Sequence, residues 1–282
     1  MEQRGKPELI FYLNGNFLTE SQAKISVLDL GFVRGYGVFD FLRTYGGKPF
    51  KLDEHLKRLK NSADQIGLEI PWKKEELKKL VLAALAKNNL AEANIKILVT
   101  GGISPDQITP SGKPTLAILV YPPAVYPKSY SENGIKAITV SMTRAFHLAK
   151  TINYIPAIVA LSQAKKEKAV EALYMNEKKE VLEGTTTNFF IFKNNILITA
   201  REGILLGITR AVVLELAKKE FKVELRPIKY KELETIDEAF ITASNKEVMP
   251  VVKIDNLTVG KGTVGENTRR IVELFRKYTL TH

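Results

Sequence analysis

Apolar residues recur along this chain at two spacings. In LDEHLKRLKNSADQIG, residues 52–67, Leu52, Leu56, Leu59, Ala63 and Ile66 return every three or four positions. That spacing predicts an amphipathic helix, and Gly67 supplies its stop. KKEELKKLVLAALAKNNL (73–90), IPAIVALSQAKKEKA (155–169), TRAVVLELAKKE (209–220) and ENTRRIVELFRKY (266–278) read as further helices. Between them lie short apolar runs bounded by turn residues, which read as strands. IFYLNGNFL (10–18) predicts a hairpin turning at Asn14-Gly15, and GVFDFLRTYGGKPFKL (37–52) a second one at Gly46-Gly47. ANIKILVTGG and KPTLAILVYPP predict two strands around the loop GGISPDQITPSGKP. GIKAITVSM, EALYMN, NFFIF, NILITA and AFITAS predict five more beyond residue 130.

The stretch YPPAVYPKSYSENG carries three prolines and few core residues, so it reads as an interdomain linker. The expected organisation is mixed α/β in two domains. A small N-terminal domain spans 1–122, a linker 123–130, and a larger C-terminal domain 131–282. No internal repeat or low-complexity segment interrupts it.

Composition narrows the class. The chain has 282 residues, 45% apolar and 26% charged, as for a globular protein. No apolar run reaches the roughly 20 residues that span a bilayer. MEQRGKPELIFYLNG has no apolar stretch long enough for a signal peptide. The chain has no cysteine, which excludes disulfides and thiolate metal sites and makes the cytoplasm the expected compartment. His55, His147 and His282 are too scattered for a zinc site. The net charge of +11 is interspersed with glutamate, as in KKEELKK and NEKKE, and alternates with no aromatic stripe. It reads as a solvated surface rather than a nucleic-acid face.

Several segments carry chemistry. In GITRAVVLELAKK, residues 207–219, a glycine leads into a helix whose first turn holds Ile208 and Thr209. Such a start offers N–H groups to an anion, or Thr209 caps the helix. In AFITASNKEVMPV, residues 239–251, a strand breaks into Ser244 and Asn245, which either contact a ligand or make a turn. Arg58 sits at the edge of an apolar helix face, where an arginine ordinarily snorkels to solvent. Lys150 stands among apolar and aromatic residues in FHLAKTINYIPA. A lysine drawn out of water is a nucleophilic amine; at a strand end it is also an ordinary surface residue. EVLEGTTTNFFIF, residues 180–192, packs a carboxylate, three threonines and an asparagine between apolar runs, more than a hairpin turn needs.

Taken in order, EHLKRL, KTINY, EGTTTNFF, ITAREG, LLGITR and ITASNKEVMPV resemble the fold-type IV pyridoxal-phosphate enzymes, the class-IV aminotransferases. The resemblance runs over roughly residues 10–275. It implies a homodimeric, two-domain enzyme carrying pyridoxal 5'-phosphate. Lys150 matches the lysine that holds the cofactor covalently and moves the substrate's proton. Glu183 matches the glutamate on the pyridine nitrogen. Tyr154 resembles the tyrosine at the phenolic oxygen, and Arg58 the arginine on the phosphate. Ile208, Thr209 and Ser244 would complete the phosphate site. Leu205 would pack on the ring, with Thr185, Thr186 and Thr187 lining the wall and Asn188 bracing the turn.

The implied reaction is ping-pong transfer of an amino group between an amino acid and a 2-oxo acid. GVFDFLRTY resembles the branched-chain pattern V-F-E-G-I-R-x-Y, with Phe39 and Arg43 matching, Asp40 for the glutamate and Phe41 for the glycine. Arg34 stands where the branched-chain enzymes carry tyrosine. The D-amino acid enzymes carry S-P-R-x-H, a carboxylate trap; here SPDQI puts Asp106 and Ile108 in its place. Lys96 falls near the expected substrate carboxylate, or faces solvent on an edge strand. Phe39, Arg43 and Lys96, with Thr186, Ser244 and Asn245, are the expected substrate contacts. A branched-chain L-amino acid is the expected substrate. D-amino acid or (R)-amine transamination, 4-amino-4-deoxychorismate lysis, and cofactor binding without turnover remain as alternatives.

Overall fold

The computed structural model describes residues 8–281. The N-terminal reading for a signal peptide falls partly on residues 1–7, and His282 follows the last described position; these lie outside the described residues. The chain divides into two compact units. The first runs to Ala124 and also includes Ala149–Asn153; the second holds Val125–Leu148 and everything from Tyr154 onward. Lys150 therefore stands in the first unit, whereas the sequence reading placed it in the C-terminal domain. The reason is backbone pairing: Phe39 N–H donates to the Lys150 carbonyl at 2.9 Å, and Ile152 N–H donates to the Gly37 carbonyl at 3.0 Å. Among the described residues no helix is long and apolar enough to cross a membrane.

The first unit is built on six antiparallel strands: β1 (Ile10–Leu13), β2 (Asn16–Thr19), β3 (Gly37–Tyr45), β4 (Lys48–Pro49), β5 (Asn94–Thr100) and β6 (Thr115–Tyr121). Their spatial order is β2-β1-β6-β5-β3-β4. Both predicted hairpins form, with Asn14 and Gly15, then Gly46 and Gly47, at positive φ. That is the geometry that lets a two-residue turn follow the strand twist. A short helix α1 (Leu30–Arg34), capped by Asp29, precedes β3. The helices α2 (Leu52–Gln65) and α3 (Lys74–Ala86) lay their apolar stripes on one face of the sheet. Leu56, Leu59 and Val81 pack there with Leu42, Ile95, Ile97, Val99, Ile118 and Val120. Each such side chain, fully buried, contributes about 1.5–3 kcal/mol.

Strand alternation then divides β3. Leu42 and Thr44 point to the helices together with Asp40, a carboxylate with no exposure. Phe39, Phe41 and Arg43 point to the other face, where Lys96 opposes Phe41 across β3 and β5. Because β5 lies between β6 and β3, Lys96 is not on an edge strand, contrary to one of its two sequence readings.

The second unit contains β7 (Ile135–Ser141), β8 (Glu171–Met175), β9 (Glu180–Gly184), β10 (Asn188–Lys193), β11 (Ile196–Thr199), β12 (Lys222–Leu225), β13 (Ile228–Lys229), β14 (Glu238–Ala243), β15 (Glu247–Ile254) and β16 (Leu257–Thr258). Its helices are α4 (Lys128–Glu132), α5 (Ile155–Lys166), α6 (Ile208–Ala217) and α7 (Glu266–Thr279). The sheet order is β12-β11-β10-β14-β15-β7-β8-β9-β13, with β16 beside β15. Asn188 also pairs with Glu183, which joins β9 to β10 and closes six strands into a ring. Phe189, Ile191, Ile241, Met249 and Val251 fill the apolar cluster against these strands. α4 lies partly within the expected linker, and β9 forms on EVLEG, which the sequence reading did not assign to a strand.

Candidate active site

In the first unit Lys150 is half-buried, and its position is set through its backbone. Its N–H donates to Ser62 Oγ at 3.0 Å, and the Ser62 hydroxyl in turn donates to the Arg58 carbonyl at 2.8 Å. Its Nζ sits 4.6 Å from the centre of the Phe39 ring. Lys96 Nζ lies 4.7 Å from that ring. One aromatic ring thus carries two amines, an arrangement suited to holding cationic groups near an apolar wall.

Arg58 does not snorkel. Its Nε and Nη2 donate to the two oxygens of Asp40, both at 2.8 Å. Asp40 Oδ1 also accepts from the Phe41 N–H at 2.7 Å and from His55 Nδ1 at 2.6 Å. Burial pushes the Asp40 carboxyl up, but the Arg58 charge and the His55 contact outweigh it and hold the group well below the usual carboxylate range. Burial pulls His55 down against the opposing pull of Asp40, and facing that carboxylate its Nδ1 is the donor.

In the second unit Glu183 is buried on β9, with both oxygens engaged. Arg144 Nη1 donates to Oε1 at 3.0 Å, and the Leu205 N–H donates to Oε2 at 2.9 Å. Asn188 Nδ2 donates to the Leu205 carbonyl at 2.8 Å, so Asn188 braces the segment that carries Leu205. Ile208 and Thr209 form the first turn of α6, whose N-cap is Gly207 with no side-chain cap. Thr209 is therefore not the cap, which removes one of its two sequence readings. Tyr154 is the N-cap residue of α5.

The three threonines answer to a residue outside their own stretch. Glu171, on β8 with no exposure, accepts from the hydroxyls of Thr185, Thr186 and Thr187 and from the Thr185 N–H. Lys246 Nζ pairs with Glu171 at 3.1 Å and donates to Thr186 Oγ1 at 2.8 Å. A buried carboxylate requires such a set of donors. The hydroxyl protons of Thr186 and Thr187 are thus directed at Glu171, and only their lone pairs are left for another donor. Gly184 makes room for this cluster: a Cβ there would meet Thr187 Oγ1 at 2.1 Å and Glu171 side-chain carbons at 3.1 Å. Gly184→Ala should destabilise the protein by about 1–3 kcal/mol, the usual cost of overpacking. Chemical denaturation checks this; an unchanged midpoint would mean that the turn shifts freely.

The expected substrate contacts are less gathered. Phe39 is buried, and Arg43 lies over the Tyr45 ring at 4.6 Å. Ser244 is half-buried in the turn between β14 and β15, and Asn245 Nδ2 donates to the Tyr126 hydroxyl at 2.7 Å. Asp106 ties its own loop. It accepts from the Ser104 and Thr109 hydroxyls and from the Ile108 and Thr109 N–H groups, bonds that hold its carboxyl below the usual range. Arg34 donates from Nε to the Gln107 carbonyl of that loop at 3.0 Å.

Sequence reasoning did not single out Arg144, Glu171, Lys246 or His55 as site residues. A carboxylate inside the apolar strand EALYM was the only local sign of Glu171.

The donor set suits pyridoxal phosphate. Glu183 presents a buried carboxylate, the acceptor type that suits a protonated ring nitrogen. The N–H groups at the start of α6 have no intrahelical acceptor and suit a dianion. Arg58 has three donor hydrogens beyond those bound by Asp40, and these meet no acceptor among the described residues.

The family model for amino-transferase class IV matches residues 37–254. A putative branched-chain-amino-acid aminotransferase from Methanocaldococcus jannaschii is 40% identical over 275 residues, covering 94% of each chain. A D-alanine aminotransferase from Staphylococcus epidermidis is 34% identical over 279 residues, covering 96% of this chain and 98% of its own. The solved structure of the T.th. branched-chain amino acid aminotransferase with pyridoxamine 5'-phosphate superposes with a TM-score of 0.90 at 29% identity, covering 96% of this chain and 94% of its own. By the family-model match over most of its length, this chain belongs to the class IV aminotransferases.

Proposed function

We propose that this transaminase uses pyridoxal 5'-phosphate to move an amino group between a branched-chain L-amino acid and a 2-oxo acid. When bound, the cofactor supplies an electron sink for the substrate α-carbon. Lys150 Nζ holds the cofactor covalently, and when released it carries the proton from the α-carbon. The Glu183 carboxylate holds a proton on the ring nitrogen, with Arg144 and the Leu205 N–H orienting it. Arg58 and the start of α6 are each suited to the phosphate, and Tyr154 to the phenolic oxygen. Lys96 is the proposed partner of the substrate carboxylate.

The observation that carries the substrate choice is Asp106. Its carboxylate is engaged within its own loop, so the Arg-x-His trap of the D-amino acid enzymes has no counterpart at 106–108. The aromatic face of Phe39 and Phe41 suits an aliphatic side chain, and the 40% identical relative carries the branched-chain name. The D-alanine aminotransferase relative keeps D-amino acid transfer as the second reading.

A single-turnover screen tests both. Loaded enzyme is mixed with L-leucine, L-valine, L-isoleucine, D-alanine, (R)-1-phenylethylamine or aminodeoxychorismate, and the carbonyl product is counted per site. Stoichiometric product from the branched-chain L-amino acids is expected. Product from D-alanine alone would replace this reading with the second.

The active protein is proposed to be a homodimer. In the first unit Ile25, Val27, Leu28, Phe32, Ile103 and Ile108 are exposed, apolar side chains that a second copy of the chain would cover. Sedimentation at assay concentration should give twice the chain mass of 31.6 kDa. An active monomer would remove the proposal.

A further inference from the structure

Asp40 occupies a costly position. It is a fully buried carboxylate on the core face of β3, where Leu42 and Thr44 are its neighbours of like orientation. Such a charge is retained only when it is paired and its lone pairs are filled. Here the carboxylate is bonded from three directions. The Phe41 N–H fixes Oδ1 from the strand itself, His55 Nδ1 reaches it from the first turn of α2, and Arg58 closes on both oxygens one turn later. His55 is as buried as Asp40, and Arg58 is only 13% exposed. The guanidinium is planar, so two bonds through its Nε–Nη2 edge fix the whole plane and the direction of the Nη1 end.

We propose that Asp40 and His55 are positioning residues that clamp Arg58 by its Nε–Nη2 edge and so aim its remaining donors at the cofactor phosphate. The inference rests on the proposed role of Arg58. It goes beyond it by naming the two side chains that prepare that arginine before any anion arrives. Preorganisation of this kind raises affinity by removing the ordering cost from the binding step. His55 contributes as a donor from Nδ1, which fixes Asp40 Oδ1 beside the Phe41 N–H and so holds the carboxylate plane that Arg58 meets.

The clamp makes a prediction opposite in sign to simple charge counting. Asp40 is an anion beside an anion-binding group, so electrostatics alone says that Asp40→Asn tightens binding of a phosphate. Positioning says that it weakens it, because the asparagine amide would point a donor at an arginine donor. The test measures the affinity of full-length apoenzyme for pyridoxal phosphate and for pyridoxal, which lacks the phosphate. Asp40→Asn and His55→Leu should each weaken pyridoxal phosphate by about ten- to a hundredfold, the range typical of residues that orient a ligand-binding side chain. Pyridoxal should bind as to wild type. His55→Asn, which keeps a donor close to the Nδ1 position, should restore most of the loss. In an Arg58→Ala background, Asp40→Asn should cost nothing further, as for residues acting through one group.

Equal or tighter pyridoxal phosphate binding by Asp40→Asn overturns the proposal. So does equal weakening for pyridoxal, which would mean a general loss of structure, and so does full additivity with Arg58→Ala. If Arg58→Ala itself leaves pyridoxal phosphate affinity unchanged, the phosphate role of Arg58 and this proposal fall together. The single-turnover screen on wild-type enzyme would then still decide the transaminase reading separately. His55→Leu and His55→Asn keep the test decisive if Asp40→Asn does not fold.

Discussion

Lys150→Ala should leave a folded protein that no longer transaminates. Truncation removes the amine proposed to attach the cofactor and to move the substrate proton, on which both half-reactions would depend. Loss of such a group costs on the order of 10⁴-fold or more in turnover. The fold should survive because Lys150 is held by its main chain. Its N–H donates to Ser62 and its carbonyl accepts from Phe39, and alanine makes both bonds. The packing lost on the Phe39 ring amounts to about 0.5–1 kcal/mol. Two measurements read the result. Borohydride reduction followed by intact mass should add a cofactor to wild type and nothing to the variant, and steady-state assays should give turnover at background. Substantial turnover in Lys150→Ala would remove the lysine from the mechanism.

Glu183→Gln should separate binding from catalysis. Glutamine has nearly the shape of glutamate, so its oxygen can still accept the Leu205 N–H. Its amide cannot carry the negative charge that holds a proton on the ring nitrogen, and where Arg144 now meets a carboxylate oxygen it would meet a donor. Arg144 is 23% exposed and can turn to water, so the change should be borne locally. Cofactor content should stay close to one per chain, because the groups proposed for the phosphate are untouched. Turnover should fall by roughly 10²–10³-fold, the scale of losing one preorganised electrostatic contact at a reacting group. Near-normal turnover would strip Glu183 of its proposed role, and loss of cofactor would make it a binding residue first.

Much of the fold is legible locally. The turns at Asn14-Gly15 and Gly46-Gly47 are written in residues that tolerate positive φ, and α2, α6 and α7 in apolar periodicity. β9 was less visible because EVLEG is short and carries two acids, and only pairing with β8 and β10 makes it a strand. Lys150, Glu183, Arg58 and Thr209 were legible as a motif order, yet the state of each was not. Arg58 sits on a helix edge that reads as exposed. Its partner Asp40 lies 18 residues earlier on a strand whose core-facing side is visible only once β3 is paired with β5.

The sequence by itself determined most of the element types, the family and the residues proposed to do chemistry, because periodicity, turn chemistry and motif order are properties of neighbours along the chain. The tertiary structure alone decided what holds those residues. It put the Lys150 segment on β3, clamped Arg58 with Asp40 and His55, set Arg144 on Glu183, and gathered three threonines and Lys246 around Glu171. Those contacts join residues as far apart in the chain as Gly37 and Ile152. They exist only where burial removes water and leaves each polar group to find its partner in the protein.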